Sequence, residues 1–231
     1  EAWTSAGLDA IQFWRGLELD TGFQQEGSLL IAHKEDRHIL ERFKTHLPPA
    51  LQHTQSPQEI ERGIPANFTQ SLYLKDEAHL EPQKTMLALT AHLKEKGVKF
   101  IKQARSPEAS SADYTINCRG MGANDKDLRG VKGEIVLVRN PEFTLSRPVR
   151  IMHPRYPLYI VPRPNNVFMI GATVIESEEA PHTSLKSAME LMSALYTLSP
   201  SFGEAELIEF KAGIRPSYPD NLPRIKVDGN I

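Results

Sequence analysis

The run HPRYPLYIVPRPNNVFMIGATVIES, at residues 153–177, carries the clearest β-hairpin pattern in the chain. Two strand-like segments, LYIVPR and VFMIGATV, are rich in β-branched and aromatic residues and flank the tripeptide PNN. Asparagine tolerates the positive φ that tight hairpin turns require. A hairpin this apolar belongs inside a sheet, and it places Tyr159, Arg163 and Gly171 on that sheet.

The pattern on either side of the hairpin predicts an α+β protein with a large, mostly antiparallel sheet flanked by helices. Helical periodicity and end signals indicate helices at residues 4–20, 34–47, 82–96 and 184–199. In the last of these, Thr183 or Ser184 caps the helix. One face of this helix carries Leu185, Met189, Met192 and Leu195. Further strands are predicted at residues 27–33, 71–74, 98–101, 114–118, 133–138, 147–152 and 205–214.

The composition is that of an ordinary soluble protein and excludes several kinds of partner. Of the 231 residues, 40% are hydrophobic and 24% charged, which is enough to bury a core. The formal net charge of −2 gives no global attraction to nucleic acid or to an anionic membrane. A single cysteine, Cys118, excludes an internal disulfide and fits a reducing compartment, so we expect a cytoplasmic protein. No run of about 18 apolar residues predicts a membrane span.

Several familiar motifs are missing from the sequence. The eight histidines are scattered without an i, i+4 pair beside a carboxylate, and Cys-x-x-Cys does not occur, so we expect no metal site. The sequence has no Walker loop and no Gly-x-Ser-x-Gly elbow. A complete GxGxxG is also missing, so the main phosphate site of a dinucleotide is not expected within these residues.

Arginine supplies the sharpest chemical signal. Arg215, between Gly213 and Pro216, is well placed to grip a carboxylate with its planar guanidinium, and we rank that role above an ordinary ion pair. For Arg147, Arg150 and Arg155 we expect surface positions or ion pairs.

Tyr159 and two glycines are weaker candidates. The Tyr159 hydroxyl can orient a polar ligand, although a tyrosine on a strand more often serves packing. Gly120 and Gly122 follow the strand predicted at 114–118, where backbone can approach a phosphate or a flat cofactor closely. The alternative for the two glycines is a tight turn without a ligand.

Four segments in order resemble one known family. They are KGEIVLV (132–138), HPRYPLYIVPRP (153–164), IGATVIES (170–177) and AGIRPSYPDNLPRI (212–225). They resemble the FAD-dependent glycine oxidases of the D-amino-acid oxidase family, most of all the bacterial enzymes of thiamine biosynthesis. LKDEAHLEPQKTMLALTAHLKEKGVKF (74–100) and INCRGMGA (116–123) are also similar to this family, so the resemblance covers most of the chain after Gly27.

The resemblance implies an FAD-dependent oxidoreductase that oxidises the Cα–N bond of a small amino acid. Hydride would pass to the flavin, the imine would hydrolyse, and dioxygen would be reduced to peroxide. By position in the motifs, Arg215 and Tyr159 would be the catalytic and substrate-binding residues, with Arg215 clamping the substrate carboxylate. Val174 would also line the substrate pocket, near the isoalloxazine ring.

The same resemblance implies the cofactor contacts and the division into domains. Gly120 and Gly122 would let backbone approach the FAD, and Val98 would border its adenine half. The substrate-binding domain is expected at residues 22–78 and 131–214. The partial α/β FAD-binding domain is expected at residues 1–21, 79–130 and 215–231.

The sequence departs from the family at both ends. It lacks the N-terminal βαβ unit with GxGxxG and the C-terminal loop over the flavin, and it begins with Glu1 in a helical pattern. It ends at Ile231, shortly after strand-like residues 224–227. We therefore expect a piece of a longer protein that does not retain FAD or turn over by itself.

Other readings stay open at this point. The substrate could be sarcosine, a D-amino acid, proline or a modified-tRNA amine, or the chain could be a carboxylate-binding or interaction domain without catalysis. Homo-oligomers are among the assemblies that the sequence allows. A nucleic-acid role is least favoured, because acidic residues offset the arginines and no aromatic ladder accompanies them.

Overall fold

A computed structural model describes residues 2–102, 112–123, 125–154, 157–179 and 182–227, without the side chains of residues 2–4. The α-helices within these ranges are α1 (Ala2–Gly16), α2 (Arg37–Lys44), α3 (Pro57–Ile60), α4 (Pro82–Glu95) and α5 (Leu185–Leu198). The strands are β1 (Ser28–Ile31), β2 (Ser71–Leu74), β3 (Arg129–Arg139), β4 (Val149–Ile151), β5 (Leu158–Arg163), β6 (Val167–Gly171), β7 (Ile175–Glu176) and β8 (Glu206–Ser217). Short 3₁₀ turns lie at Lys34–Asp36, Pro49–Leu51, Gly120–Ala123 and Pro200–Glu204.

All eight of these strands form one sheet, in the order β2-β1-β4-β5-β6-β3-β8. The short strand β7 pairs with β3 on the same side as β6, opposite to β8. Every pairing is antiparallel except that of β1 with β4. The predicted mixed fold with a large, mostly antiparallel sheet is therefore confirmed.

The β5–β6 hairpin forms as its sequence predicts. Arg163 pairs with Val167 across the turn, and Asn165 and Asn166 have φ values of 63° and 54°. Asparagine adopts this left-handed region more readily than most residues, because its short polar side chain can bond locally. The turn fixes the register, so Tyr159 stands directly opposite Gly171.

The sheet buries residues on both of its faces. On one face, Val136, Ile160, Ile170 and their neighbours pack against Leu191, Leu195 and Leu198 of α5 and against the phenylalanines 68, 143, 168 and 202. On the other face, α2 covers only the β1–β2 end, where Leu30 and Leu72 pack against Leu40. Helix α2 does not cover the part of this second face that is formed by β5, β6, β3 and β8.

Helix α5 begins as predicted, and only part of its predicted apolar face is buried. The Ser184 side chain accepts a hydrogen bond from the Ser187 amide and caps the helix. Of the residues predicted to share a face, Leu195 is buried but Leu185 and Met189 are exposed, whereas Leu191 and Leu198 are also buried. The helix is apolar on more than one side, so its periodicity alone does not select the buried stripe.

Two segments predicted as strands are not strands. Residues 98–101 and 114–118 make no ladder, and neither do residues 224–227 at the strand-like end. Their apolar side chains stand in solvent, with Ile101, Tyr114, Ile116 and Ile225 between 76% and 95% exposed. A strand needs a neighbour to pair its backbone groups, and the described part of this chain offers none beside these segments. Within the described residues, helix α4 is therefore not followed by the strands that the sequence predicts.

The helices of the described ranges include none with the length and apolarity needed to cross a membrane.

Candidate active site

Tyr159 lies flat on the sheet because it faces a glycine. Residues Tyr159, Gly171, Ile135 and Lys211 form one cross-strand row over β5, β6, β3 and β8. A Cβ atom on Gly171 would come within 2.7 Å of the Tyr159 hydroxyl oxygen and 2.8 Å of Ile135 Cγ2. Any larger residue at position 171 would therefore push the phenol ring off the sheet.

Arg215 occupies the face in the same way, over a second glycine. The residue pairs with Val131, and its guanidinium reaches back along β8 to lie on Gly133. A Cβ atom built on Gly133 would overlap that guanidinium. Glycine inside a strand weakens the strand but lets another group approach its backbone, and here the group is a cation.

Among the described residues, the guanidinium of Arg215 has no acidic partner and can bind an anion. Arg215 is an exposed residue, and none of the ion pairs found among the described residues involves it. Within the described ranges it makes one long hydrogen bond, from Nη1 to the backbone oxygen of Thr173 at 3.5 Å. Arg147 and Arg150 differ from it, because they pair with Glu61 and Glu77, as the sequence predicts.

Tyr159 and Arg215 are close enough to influence each other electrostatically. Burial raises the pKa of the Tyr159 hydroxyl above its ordinary value, and the positive charge of Arg215 works in the opposite direction. The phenol therefore stays protonated at neutral pH and can donate a hydrogen bond beside the cation. Ile135, in the same row as Tyr159, and Leu137 and Met169, in the next row away from Arg215, make an apolar, half-buried floor.

The structure also describes Gly120 and Val174, which the resemblance assigns to the cofactor site and to the substrate pocket. Gly120 has a φ of +57° and packs on Pro216, where a Cβ atom would lie 3.2 Å from the proline Cγ. Gly120 therefore lies near the end of β8, on the side of the strand to which Pro216 points. Val174 is 71% exposed and follows Thr173, whose carbonyl faces Arg215. Both residues are thus brought to the same end of the sheet as the Tyr159–Arg215 pair.

Gly122 and Val98 are not brought into this group by any described hydrogen bond. A Cβ atom on Gly122 would make only an ordinary contact, 3.7 Å from Arg119 Cβ, so the fold does not require glycine there. The Val98 amide donates to Leu93 O at the end of α4, and its side chain is half exposed. Their cofactor roles stay predictions.

Two further arginines complete the sequence candidates. Arg155 lies outside the described residues. Arg163 shares a strand face with Tyr159 four residues away, and burial lowers its pKa. Its Nη1 atom is buried without a hydrogen-bond partner among the described residues, as is Nδ1 of His79 nearby.

Three residues of the site are missing from the sequence-based candidates. They are Gly133 and Thr173, which contact the Arg215 guanidinium, and Glu134, which accepts a hydrogen bond from the Thr173 hydroxyl. A signal for Gly133 and Glu134 does exist, because a glycine and an acid interrupt an otherwise apolar strand in KGEIVLV. The sequence gives no such signal for Thr173, because its contact with Arg215 is made by the backbone oxygen, which every residue has.

Comparison with known proteins identifies the family. Residues 1–230 match the family described as FAD dependent oxidoreductase. The chain belongs to this family. The resemblance of its motifs to FAD-dependent oxidoreductases is therefore confirmed, and FAD is the cofactor of the family.

Individual relatives are of the glycine oxidase and ThiO type. A Rhizobium etli protein named as a thiamine biosynthesis oxidoreductase, ThiO, is 37% identical over 220 residues, covering 94% of this chain and 67% of that protein. The crystal structure of glycine oxidase from Geobacillus kaustophilus has a TM-score of 0.77 at 22% identity, covering 99% of this chain and 68% of the other. The L-proline dehydrogenase of P. horikoshii has a TM-score of 0.73 at 13% identity, over 96% and 69%. This chain thus spans about two thirds of the length of these proteins.

The residues on the sheet face suit a flat cofactor ring. Gly133 and Gly171 keep Tyr159 and Arg215 close to the backbone, so the apolar floor of Ile135, Leu137 and Met169 is not walled off. An isoalloxazine ring needs this kind of close, apolar approach.

The opposing influences on Tyr159 generate a test of its closeness to Arg215. Replacing Arg215 with Met removes a cation that stabilises the phenolate, so the pKa of Tyr159 is expected to rise further. The titration is followed by NMR of ¹³Cζ-labelled tyrosine, with Tyr159→Phe to assign the signal. An unchanged or lower pKa in Arg215→Met would contradict the proximity of the two side chains.

Proposed function

We propose that this chain provides the substrate-binding face of a glycine-type amino-acid oxidase. The reaction oxidises the Cα–N bond of a small amino acid: hydride leaves Cα with its electron pair, and the resulting imine is hydrolysed by water to a carbonyl product and ammonia. The observation that carries the proposal is the Arg215 guanidinium, without an acidic partner in the described ranges, beside the Tyr159 hydroxyl on one sheet face.

Arg215 and Tyr159 bind and orient the substrate in this proposal. The guanidinium presents paired N–H donors in a rigid fork, which fits the two oxygens of a carboxylate. Tyr159, kept protonated by burial, donates its hydroxyl to the same carboxylate. With the carboxylate held at one end, Cα of a small amino acid is directed over the apolar floor of Ile135 and Met169.

FAD, when bound, would supply the hydride acceptor, and dioxygen would then be reduced to peroxide. The apolar floor would limit the access of water to the reacting carbon. Val174, which is 71% exposed, would line the substrate pocket near the isoalloxazine ring. Because the sequence contains no GxGxxG, we infer that this chain alone does not retain FAD.

The identity of the amine is the finer part of the proposal. Glycine is favoured because the relatives named as glycine oxidases are similar in both sequence and fold. The same fold also occurs in an L-proline dehydrogenase, so the fold does not discriminate among small amines. The carboxylate is the chemistry that these substrates share, and Arg215 is proposed to recognise it.

Gly133 and Gly213 provide a matched test of the carboxylate site. They are directly paired on β3 and β8, but a Cβ atom overlaps Arg215 only at Gly133, while Gly213 has nothing within 4 Å. Gly133→Ala is therefore expected to weaken acetate and glycine binding by about tenfold or more, because a displaced guanidinium loses its alignment. Gly213→Ala should bind like the unaltered chain.

Both affinities are measured by NMR titration of the 231-residue chain. Equal effects of the two alanine substitutions would show that the Arg215–Gly133 contact does not govern binding. If neither acetate nor glycine bound the unaltered chain, the carboxylate site itself would be wrong.

Catalysis is tested on the intact gene product with FAD bound. Arg215→Ala is expected to lower kcat/KM for glycine, because a desolvated charge pair is lost. The decrease corresponds to a loss of about 2–5 kcal/mol of transition-state binding. Peroxide release on addition of glycine, sarcosine, D-alanine and proline identifies the amine. No peroxide with any amine would favour the alternative, a carboxylate-binding domain without catalysis, and an unchanged kcat/KM would remove Arg215 from the site.

A further inference from the structure

Glu134 is a buried charge in the middle of the sheet. Its side chain is fully buried, and its neighbour Lys132, two residues away on the same strand face, is 5% exposed. The two form an ion pair, with Lys132 Nζ 3.3 Å from Glu134 Oε1. A buried ion pair is often no more stabilising than apolar residues of the same size. Stability of the fold alone therefore does not account for a glutamate at this position.

The carboxylate of Glu134 is satisfied by donors from two separate segments. The Thr173 hydroxyl donates to Oε2 at 2.9 Å, and the Ser184 amide donates to Oε1 at 3.0 Å. Burial works to raise the pKa of Glu134, but the bonds from Ser187, Ser184, Thr173 and Lys132 hold it below its ordinary value. Glu134 is therefore ionised at neutral pH and acts only as an acceptor.

These bonds fix both ends of the connection between β6 and α5. Thr173 begins that connection and Ser184, the N-cap of α5, ends it. Thr173 makes two further bonds to the same residue: its amide donates to Glu134 O at 3.2 Å, and its hydroxyl accepts from the Glu134 amide at 3.0 Å. Lys132 adds a bond to His182 O at 3.1 Å. Thr173 is thus held to β3 by its backbone and by its side chain.

The position of Thr173 bears directly on Arg215. The Thr173 carbonyl accepts from Arg215 Nη1, while Gly133, the residue before Glu134, supports the guanidinium from below. A guanidinium has five N–H donors in a fixed plane. With Nη1 directed to Thr173, the edge with Nη2 and Nε remains for a carboxylate. Consecutive residues of β3 therefore position Arg215 from the two faces of the sheet.

We propose that Glu134 is a positioning residue for the carboxylate site and acts through Thr173 on the orientation of Arg215. The inference rests on the proposed function, because it assumes that Arg215 binds the substrate carboxylate. Glu134 does not touch the substrate. Its contribution is to keep the Thr173 carbonyl where it occupies one side of the guanidinium.

The test compares substitutions on the path with one beside it. Glu134→Gln loses the charge and one acceptor, and Thr173→Val removes the hydroxyl at nearly constant volume. Thr173→Ser keeps that hydroxyl. Val138→Ala, on the same strand and 1% exposed, opens a cavity in the α5 core without touching the polar group. All are prepared in the 231-residue chain, with acetate and glycine as the probes and denaturant unfolding as a check of the fold.

Glu134→Gln and Thr173→Val are each expected to weaken acetate binding about tenfold. The two together should weaken it little more than either alone, because they act on one path. Thr173→Ser should restore most of the affinity. Val138→Ala should lower the unfolding midpoint while acetate binds within about twofold of the unaltered chain.

Two results separate this inference from the proposed function. If the unaltered chain binds acetate and Arg215→Met abolishes binding, but Glu134→Gln and Thr173→Val bind normally, Glu134 is not a positioning residue and the carboxylate site stands. The inference is also overturned if Val138→Ala weakens binding as much as Glu134→Gln, since loss of stability would then explain both. If the unaltered chain binds neither probe, the proposed function fails and this inference with it.

Discussion

The guanidinium of Arg215 rests on the bare backbone of Gly133, and the candidate site depends on that contact. A strand normally covers its own backbone with side chains, which would hold an arginine from the next strand well above the sheet. At Gly133 that cover is missing, so the cation lies low on the sheet, close enough to Tyr159 to influence its pKa. Gly171 does the same for Tyr159. Two glycines on neighbouring strands thus bring a cation and a phenol onto one flat surface.

Strand β3 connects this surface to the rest of the molecule. It pairs with β6 and β7 on one side and with the full length of β8 on the other. Its alternate residues Val136 and Val138 lie in the main core, while Ile135 and Leu137 line the site. Because the same strand serves both faces, the core packing of α5 and the position of the site floor are mechanically linked. Glu134, on the same strand, accepts hydrogen bonds from Thr173 and from Ser184 at the start of α5, and so adds polar contacts to this link.

Much of this arrangement could be predicted from the sequence, and the failures share a physical cause. The β5–β6 hairpin, the Ser184 cap and the roles of Arg147 and Arg150 as ion-pair partners follow from local patterns, and the structure confirms them. The strands predicted at 98–101 and 114–118 have strand-like composition, but pairing depends on a neighbour that composition does not reveal. Of the face predicted for α5, Leu195 is buried but Leu185 and Met189 are exposed, because the helix is apolar on several sides and periodicity does not show which side meets the core.

The features of the site also divide into those that the sequence predicts and those that it does not. Arg215 and Tyr159 are residue types whose chemistry is visible in the sequence, so they could be proposed before the structure was known. Their closeness could not, since it depends on register across four strands and on the absence of side chains at positions 133 and 171. Glu134 and Thr173 act through hydrogen bonds between distant segments, which no local motif describes.

A crystal structure of the chain grown with sodium acetate tests the central claim most directly. The account predicts an acetate ion with its two oxygens within hydrogen-bonding distance of the Arg215 guanidinium, one of them also accepting from the Tyr159 hydroxyl. It further predicts that the guanidinium stays on Gly133. An Arg215 side chain turned away from Gly133 to an acidic partner, with no acetate between it and Tyr159, would contradict the account.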